Sequence, residues 1–361
     1  MHHSSNRVRV ILCNRLSGYS FVASRLVAIL SPGEPGDPVL VLGVDVAVVG
    51  CGAVGSVIAL ALMRAGLRVL VVTRRKASVD KIVVEGLGSG SVPIAGWGEA
   101  RRFRPRLVLY AVKAYDLRGA VENSVGAGWS PAAVVSLQNG LGSLELLEEV
   151  FPGRALLGIV YFGSTLVAPC RARLAGRGSV LLGWRREPLP EAGKACGFLA
   201  EALGAGGLES YCVGAEAERY RWLKLAVNTA INPVTVMAWS RNSVVLEDPF
   251  ARELAEGLAA ETGRVARAAG VNLPRDPVEE TMRVARATRD NCSSMLQDVS
   301  RGRRTEVDYI NGAVAKRAWG LGVSAPLNWF AYRAVRLLEK WLAGRKSPCE
   351  TLSAPSSAER K

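Results

Sequence analysis

Residues 46–74, VAVVGCGAVGSVIALALMRAGLRVLVVTR, constrain the fold of this chain more than any other stretch. An apolar run at 46–49 ends at Gly50, Cys51, Gly52, Ala53, Val54 and Gly55, a small-residue helical stretch follows, and a second apolar run occupies 69–72. Strand, glycine turn, helix and strand in this order are the layout of a dinucleotide-binding unit. Gly50 permits the tight turn. Gly52 removes the side chain that would keep a pyrophosphate from the helix N-terminus, and Gly55 lets helix and strand pack closely. A glycine-rich turn without a ligand is the competing reading, and the flanking strands and helix argue against it.

The end of the second strand refines the cofactor. An NAD site usually places Asp or Glu about 20 residues past the glycines, to bond the ribose 2′-hydroxyl. Here the sequence is Thr73, Arg74, Arg75, Lys76. A carboxylate repels a 2′-phosphate, whereas a guanidinium clamps one with two hydrogen bonds. NADP(H) is therefore the expected cofactor. NAD(H) stays open, because arginine tolerates either, and a solvated basic turn is the alternative reading.

Composition excludes several classes. A hydrophobic content of 49% with 22% charged residues describes a globular chain. The formal net charge of +14 is spread over scattered arginines without interleaved aromatics, so no nucleic-acid platform is read from it. The 7 cysteines are odd in number and contain no CxxC pair. That argues against a disulfide framework or zinc site and fits a reducing cytosol. The only histidines are His2 and His3. Proton transfer in the body of the chain must then fall to Lys, Tyr or a carboxylate, and His-based metal sites and Ser-His-Asp triads are excluded.

The pattern divides the chain. Residues 1–43 read as an extension foreign to the fold, either a non-native leader with the true start near Val44 or a genuine addition. Their apolar stretches are broken by Arg15 and Arg25 and fall short of the roughly 18 residues that a membrane span needs. Residues 44–215 alternate β-type runs, at 107–112, 133–138 and 155–161, with helical stretches such as 141–150. This predicts an α/β, Rossmann-type parallel sheet domain. The 164–184 region reads as antiparallel additions at the sheet edge. From 216 to 344 the periods are helical, predicting an all-helical C-terminal domain for substrate binding and dimerisation. Thr305 reads as an N-cap with Asp308 at N3, and Ser294 with Gln297 as a capping-box pattern. Residues 345–361 read as a disordered tail.

Helix 218–232 carries Lys224, Asn228 and Asn232 at i, i+4 and i+8, on one face among apolar neighbours, and ends before Pro233. Polar groups in such a stripe need partners if buried. A snorkelling lysine followed by end-of-helix amides is the equally weighted alternative.

The string WLKLAVNTAINPVT at 222–235 resembles the central motif of the ketopantoate reductases (2-dehydropantoate 2-reductases). GCGAVG at 50–55, AVKAYD at 111–116, QNGLG at 138–142 and SSMLQDVSRGRRTEVDYINGAV at 293–314 are similar to that family's other blocks, in order. The resemblance covers roughly 44–340. It implies that Lys224 is the proton donor and that Asn228 and Asn232 hold the substrate's carboxylate and hydroxyl. It further implies that Asn242 and Ser294 contact substrate, that Asn139 lies near both nicotinamide and substrate, and that Arg74, Lys113 and Glu306 contact cofactor. Ser164 falls where the family usually has Ala and is aligned as a further cofactor contact. The leader and tail depart from the family pattern.

The chemistry is coherent on its own terms. Reducing a ketone builds negative charge on oxygen, which a nearby cation stabilises before giving up a proton. Burial in an apolar helix face pushes the Lys224 pKa down, and Glu306 nearby pushes it up. With the reducing cytosol read from the cysteines, the resemblance implies a cytoplasmic, homodimeric NADP(H)-dependent oxidoreductase converting 2-dehydropantoate to pantoate for pantothenate and coenzyme A synthesis. Its partner is a small-molecule keto acid, with no nucleic acid and no membrane. A reductase of another 2-keto acid and a non-catalytic NADP(H)-sensing protein are the rivals.

Overall fold

A computed structural model describes residues 28–29, 41–74, 79–176, 178–343, 345 and 348. Strand β1 (Ala28–Ile29) pairs antiparallel with the start of β2 (Val41–Val49), and helix α1 (Ala53–Arg64) then leads to β3 (Val69–Thr73). β2 and β3 are parallel, with Val46 opposite Val69, as the glycine-turn motif demands. Next come β4 (Lys81–Glu85), β5 (Gly88–Ser91), β6 (Ile94–Gly96), α2 (Trp97–Ala100) and β7 (Phe103–Tyr110). α3 (Leu117–Gly126), β8 (Ala133–Ser136), α4 (Ser143–Val150) and β9 (Ala155–Val160) continue the alternation. β10 (Gly163–Ala168), β11 (Arg171–Gly176), β12 (Val180–Gly183), α5 (Pro190–Ala205) and β13 (Ser210–Gly214) complete this half.

Among the described residues the main sheet has the order β13-β12-β9-β8-β7-β2-β3-β6. Its central pairs are parallel, and β12 runs antiparallel to β9. Of the segments expected to add antiparallel strands at the sheet edge, only β12 joins the main sheet, antiparallel to β9, and it is not the edge, because β13 pairs with it outside in parallel. β10 and β11 instead enter a second, four-stranded sheet of order β10-β11-β4-β5. The cause is non-local: β11 pairs in parallel with β4, Ala172 opposite Val84, and no local pattern encodes a partner so far away in the chain. α1 lies against both sheets and α5, which is why its residues 55–62 are all buried and the helix is apolar on every side.

After β13 every described element is helical: α6 (Ala217–Met237), α7 (Val244–Glu247), α8 (Pro249–Ala268), α9 (Pro277–Ala287), α10 (Ser294–Ser300), α11 (Asn311–Gly320) and α12 (Pro326–Trp341). α8 and α9 each start with an aspartate cap and a proline. Asp248 accepts the amide of Ala251 at 2.8 Å, and Asp276 accepts those of Val278 and Glu279 at 2.9 and 3.0 Å. α12 has no cap of its own. The buried carboxylate of Glu261, on α8, accepts the amides of Leu327 and Asn328 at 3.0 and 2.9 Å and so closes that helix end from outside.

Three helix boundaries differ from the sequence reading. α6 does not stop before Pro233 but continues to Met237. Proline has no N–H for the Thr229 carbonyl, and the side chain of Asn311 supplies one at 2.9 Å, so the helix persists. The cap of α10 is Ser293, whose hydroxyl accepts Leu296 N–H at 3.1 Å, and Ser294 is the first helical residue. Thr305 caps no helix: its amide and hydroxyl both go to Glu339, and α11 begins only at Asn311.

The cysteine reading is also corrected. Cys51 and Cys170 form a disulfide across 119 residues, with Cα atoms 5.0 Å apart, and Cys196 and Cys212 form another with Cα atoms 5.6 Å apart. Tertiary packing brings these pairs together, so spacing along the chain could not reveal them. The expectations for the leader lie mostly outside the described residues, as do those for the tail. Among the described residues no helix is long and apolar enough to cross a membrane, and no cluster of His, Cys, Asp or Glu is placed to hold a metal.

Candidate active site

The glycine turn sits at the carboxyl end of β2. Gly50 has φ +110°, and a Cβ there would meet the Ala111 carbonyl carbon and the Val112 nitrogen at 2.9 Å, so only glycine fits. A Cβ on Gly55 would strike the Gly50 carbonyl, which brings α1 close to the turn. At Gly52, the N-cap of α1, a Cβ would meet nothing within 4 Å. That open ground lies in front of the amino end of α1, which has no side-chain cap from Gly52, a geometry suited to an anionic group. No acidic residue occupies the first turn of α1. Cys51 is fixed from the side by its bridge to Cys170.

Arg74 stands at the rim with its side chain 80% exposed and its guanidinium 3.0 Å from Asp116. Arg75 and Lys76 lie outside the described residues. Lys113 follows β7 and reaches across to the helical half. Its ammonium is 2.6 Å from Asp298 and 3.4 Å from Glu306, while Glu306 also accepts the Ala114 amide at 2.9 Å. Burial alone would lower the Lys113 pKa, but the two carboxylates outweigh it and hold the ammonium well above its ordinary range. Burial raises the Asp298 pKa, with Lys113 opposing it.

The turn after β8 carries Asn139. Gln138 pins it to the sheet by donating to the Tyr110 and Val112 carbonyls at 2.8 and 3.0 Å while accepting from Ser136 at 2.8 Å. Gly140, with φ +88°, presses so close to the Tyr309 carbonyl that a Cβ would collide with it, and Leu141 N–H donates to that carbonyl at 2.9 Å. The turn is thus clamped against the segment that bears Glu306.

Lys224 of α6 points at the end of β9. Its ammonium donates to the Val160 carbonyl at 2.6 Å and lies 5.8 Å from the centre of the Tyr161 ring. Burial brings its pKa down to about 8, with Glu306 pulling upward. Lys224, Asn228, Asn139 and Arg221 line one cavity between α6, β9 and the 138–140 turn. At about 1.5 Å of rise per residue, Asn228 and then Asn232 continue the stripe in steps of about 6 Å.

The remaining expected residues are less concentrated. Asn232 is buried on α6. Asn242, buried beyond the end of α6, donates to Thr288 at 2.9 Å, and its side-chain oxygen has no hydrogen-bond partner among the described residues. Ser294 is exposed at the start of α10. Ser164 lies on β10 in the second sheet, opposite Leu174, and the structure gives no contact joining it to the cavity. Sequence reasoning misses Asp298, Gln138 and Arg221. Asp298 has a signal: it shares the buried face of α10 with Met295, Leu296 and Val299, where a charge needs a partner. Gln138 and Arg221 have only local hints, a serine two residues before and an i, i+3 glutamate, because the partners that tie them to the site, the Tyr110 and Val112 carbonyls and Glu145, lie on other elements.

Comparison with known proteins identifies relatives along most of this chain. The family profile described as Ketopantoate reductase PanE/ApbA matches residues 46–187, and its counterpart, Ketopantoate reductase PanE/ApbA C terminal, matches 216–339. The chain is 40% identical over 292 residues to a 2-dehydropantoate 2-reductase of Pyrobaculum aerophilum, covering 81% of this chain and 97% of that one. It is 32% identical over 302 residues to the enzyme of the same name from Archaeoglobus fulgidus, covering 82% and 98%. Among solved structures, a PanE/ApbA family ketopantoate reductase from Ralstonia eutropha superposes with a TM-score of 0.72 at 26% identity, over 82% of this chain and 99% of that one. A D-mandelate dehydrogenase solved with NADH and anilino(oxo)acetate shares the fold, at TM-score 0.73 and 23% identity over 82% and 99% of the two chains.

Proposed function

This chain belongs to the ketopantoate reductase family, and from that premise we propose how its residues divide the work of reducing 2-dehydropantoate to pantoate with NAD(P)H, a step of pantothenate synthesis. One juxtaposition carries the reading: the Lys224 ammonium, held on the Val160 carbonyl, shares a cavity with Asn139 and Asn228.

The turn at Gly50, Gly52 and Gly55 and the amino end of α1 would hold the cofactor's pyrophosphate, Arg74 the 2′-phosphate of NADP(H), and Lys113, Asn139 and Glu306 its nicotinamide half. The bound cofactor supplies the hydride that reduces the keto carbon. Lys224 stabilises the negative charge developing on the keto oxygen and then donates the proton that makes it a hydroxyl. A pKa of about 8 suits the task, since the ammonium is charged at neutral pH and still a competent acid. The Val160 carbonyl orients it. Asn228, Asn232, Asn242 and Ser294 grip the carboxylate and hydroxyl of the substrate.

The test is Lys224→Ala, assayed at saturating NADPH and ketopantoate. Turnover falls roughly 100- to 10,000-fold, the range for removing a general acid, while NADPH binding by fluorescence is retained. Near-normal turnover removes Lys224 from the role.

A homodimer in the cytoplasm completes the reading. Trp341 is 73% exposed on α12 with Phe330 and Leu337, and Trp319 is 89% exposed on α11, more apolar surface than a free helix face usually shows. Trp341→Glu should then yield monomers in sedimentation.

A further inference from the structure

We propose that Arg221 is a positioning residue of this reaction, fastening the turn that carries Asn139 to the helix that carries Lys224. The inference rests on the assignment of Lys224 as proton donor. Arg221 is 6% exposed and lies one helical turn before Lys224 on α6. Its guanidinium is shared between two carboxylates. One terminal nitrogen donates to Glu145 at 2.7 Å and to Glu218 at 3.1 Å, and Nε lies 3.0 Å from Glu218. Glu218 belongs to α6 itself, so this pairing fixes the guanidinium relative to its own helix. Glu145 belongs to α4, and its other carboxylate oxygen accepts the Gly142 amide at 2.8 Å. The connection therefore runs from α6 through Arg221 and Glu145 to the backbone of the Asn139 turn.

The opposite side of that turn is fixed by Leu141 N–H on the Tyr309 carbonyl and by Gln138 on the sheet. Arg221 supplies the tether that leads to the proton donor, with Arg185 at 3.9 Å from the same Glu145 carboxylate. A buried ion pair is weak evidence for stability, but its geometry is specific. The planar guanidinium fork engages both carboxylates at once, which an ammonium on a flexible stem does poorly. Arg221 also holds the Glu145 carboxyl down to about 2 against the opposing effect of burial, so the link stays charged throughout the working pH range.

The experiment compares Arg221→Gln, Arg221→Lys, Glu145→Gln and the Arg221→Gln/Glu145→Gln double variant with wild type. In the cofactor-free chain, Arg221→Gln should speed hydrogen exchange at the Leu141 and Gly142 amides about tenfold, leaving core amides unchanged. At saturating NADPH it should lower kcat about 10- to 100-fold, the scale for slight misplacement of reacting groups, with a much smaller rise in the NADPH dissociation constant, since Asn139 is one of several cofactor contacts. The double variant should be no slower than the slower single, because both break one connection. Unchanged kcat in a folded Arg221→Gln, or multiplied losses in the double variant, overturns the proposal. If Arg221→Gln does not fold, Arg221→Lys decides: reduced kcat at near-wild-type melting temperature supports the tether, and wild-type kcat refutes it. Retained turnover in Lys224→Ala would instead defeat the underlying assignment, and the exchange rates at Leu141 and Gly142 would then test the tether independently of it.

Discussion

Asn311 donates its side-chain amide to the Thr229 carbonyl at 2.9 Å, filling the hydrogen bond that Pro233 denies to that carbonyl. α6 is thereby kept helical through the stretch bearing Asn228 and Asn232, and α11 is tied to it. Asn311→Leu should strand a buried acceptor and destabilise the protein by about 1–3 kcal/mol in urea unfolding. Pro233→Ala restores the N–H, so the same substitution should cost markedly less in that background. Equal losses in both backgrounds would show that the bond does not replace the missing one.

Turnover should follow the Lys224 ammonium. Reduction proceeds on a plateau at neutral pH and declines tenfold per unit above about pH 8. Glu306 raises the Lys224 pKa, so Glu306→Gln should move this limb to lower pH. Stability responds in the other direction. Between about 8 and the ordinary value of 10.5 the unfolded lysine binds the proton that the folded one has released, so this residue's contribution to stability rises with pH across that window. A pH–rate profile unchanged in Glu306→Gln would contradict the electrostatic link.

Arg74 is exposed at the rim, and its solvent-facing pair with Asp116 can be exchanged for a phosphate at little cost. Arg74→Gln should raise KM for NADPH about tenfold, the equivalent of one charge-assisted hydrogen bond, and leave KM for NADH alone. Parallel increases for both cofactors would move the 2′-phosphate contact elsewhere.

The Cys51–Cys170 bridge binds the nucleotide turn to the second sheet and closes a loop of 119 residues. Cys170→Ser should lower unfolding stability by about 2–5 kcal/mol, and a thiol reductant should lower the stability of the wild type more than that of the variant. Identical urea midpoints with and without reductant in the wild type would show that the bridge contributes nothing.

Legibility tracks the range of the interactions. The strand–turn–helix–strand unit can be read because each glycine answers a local demand, positive φ at Gly50 and close approach at Gly55. The Lys224–Asn228 stripe can be read because helical spacing alone puts the two on one face. The cap of α10 reads one residue late, since Ser293 and Ser294 are equivalent in composition and only backbone geometry separates them. Thr305 misleads because its partner, Glu339, lies on a helix further along the chain.

By itself the sequence determined the nucleotide-binding half, the helical half and the residue types available for proton transfer, because periodicity, turn chemistry and the want of histidine in the body are properties of short segments. Tertiary structure alone decided that Cys51 meets Cys170, that Lys113 is shared by Asp298 and Glu306, and that Pro233 lies inside a helix. Each of these depends on groups far apart in the chain, whose encounter is set by how whole elements pack and by the need of every buried polar group for a partner.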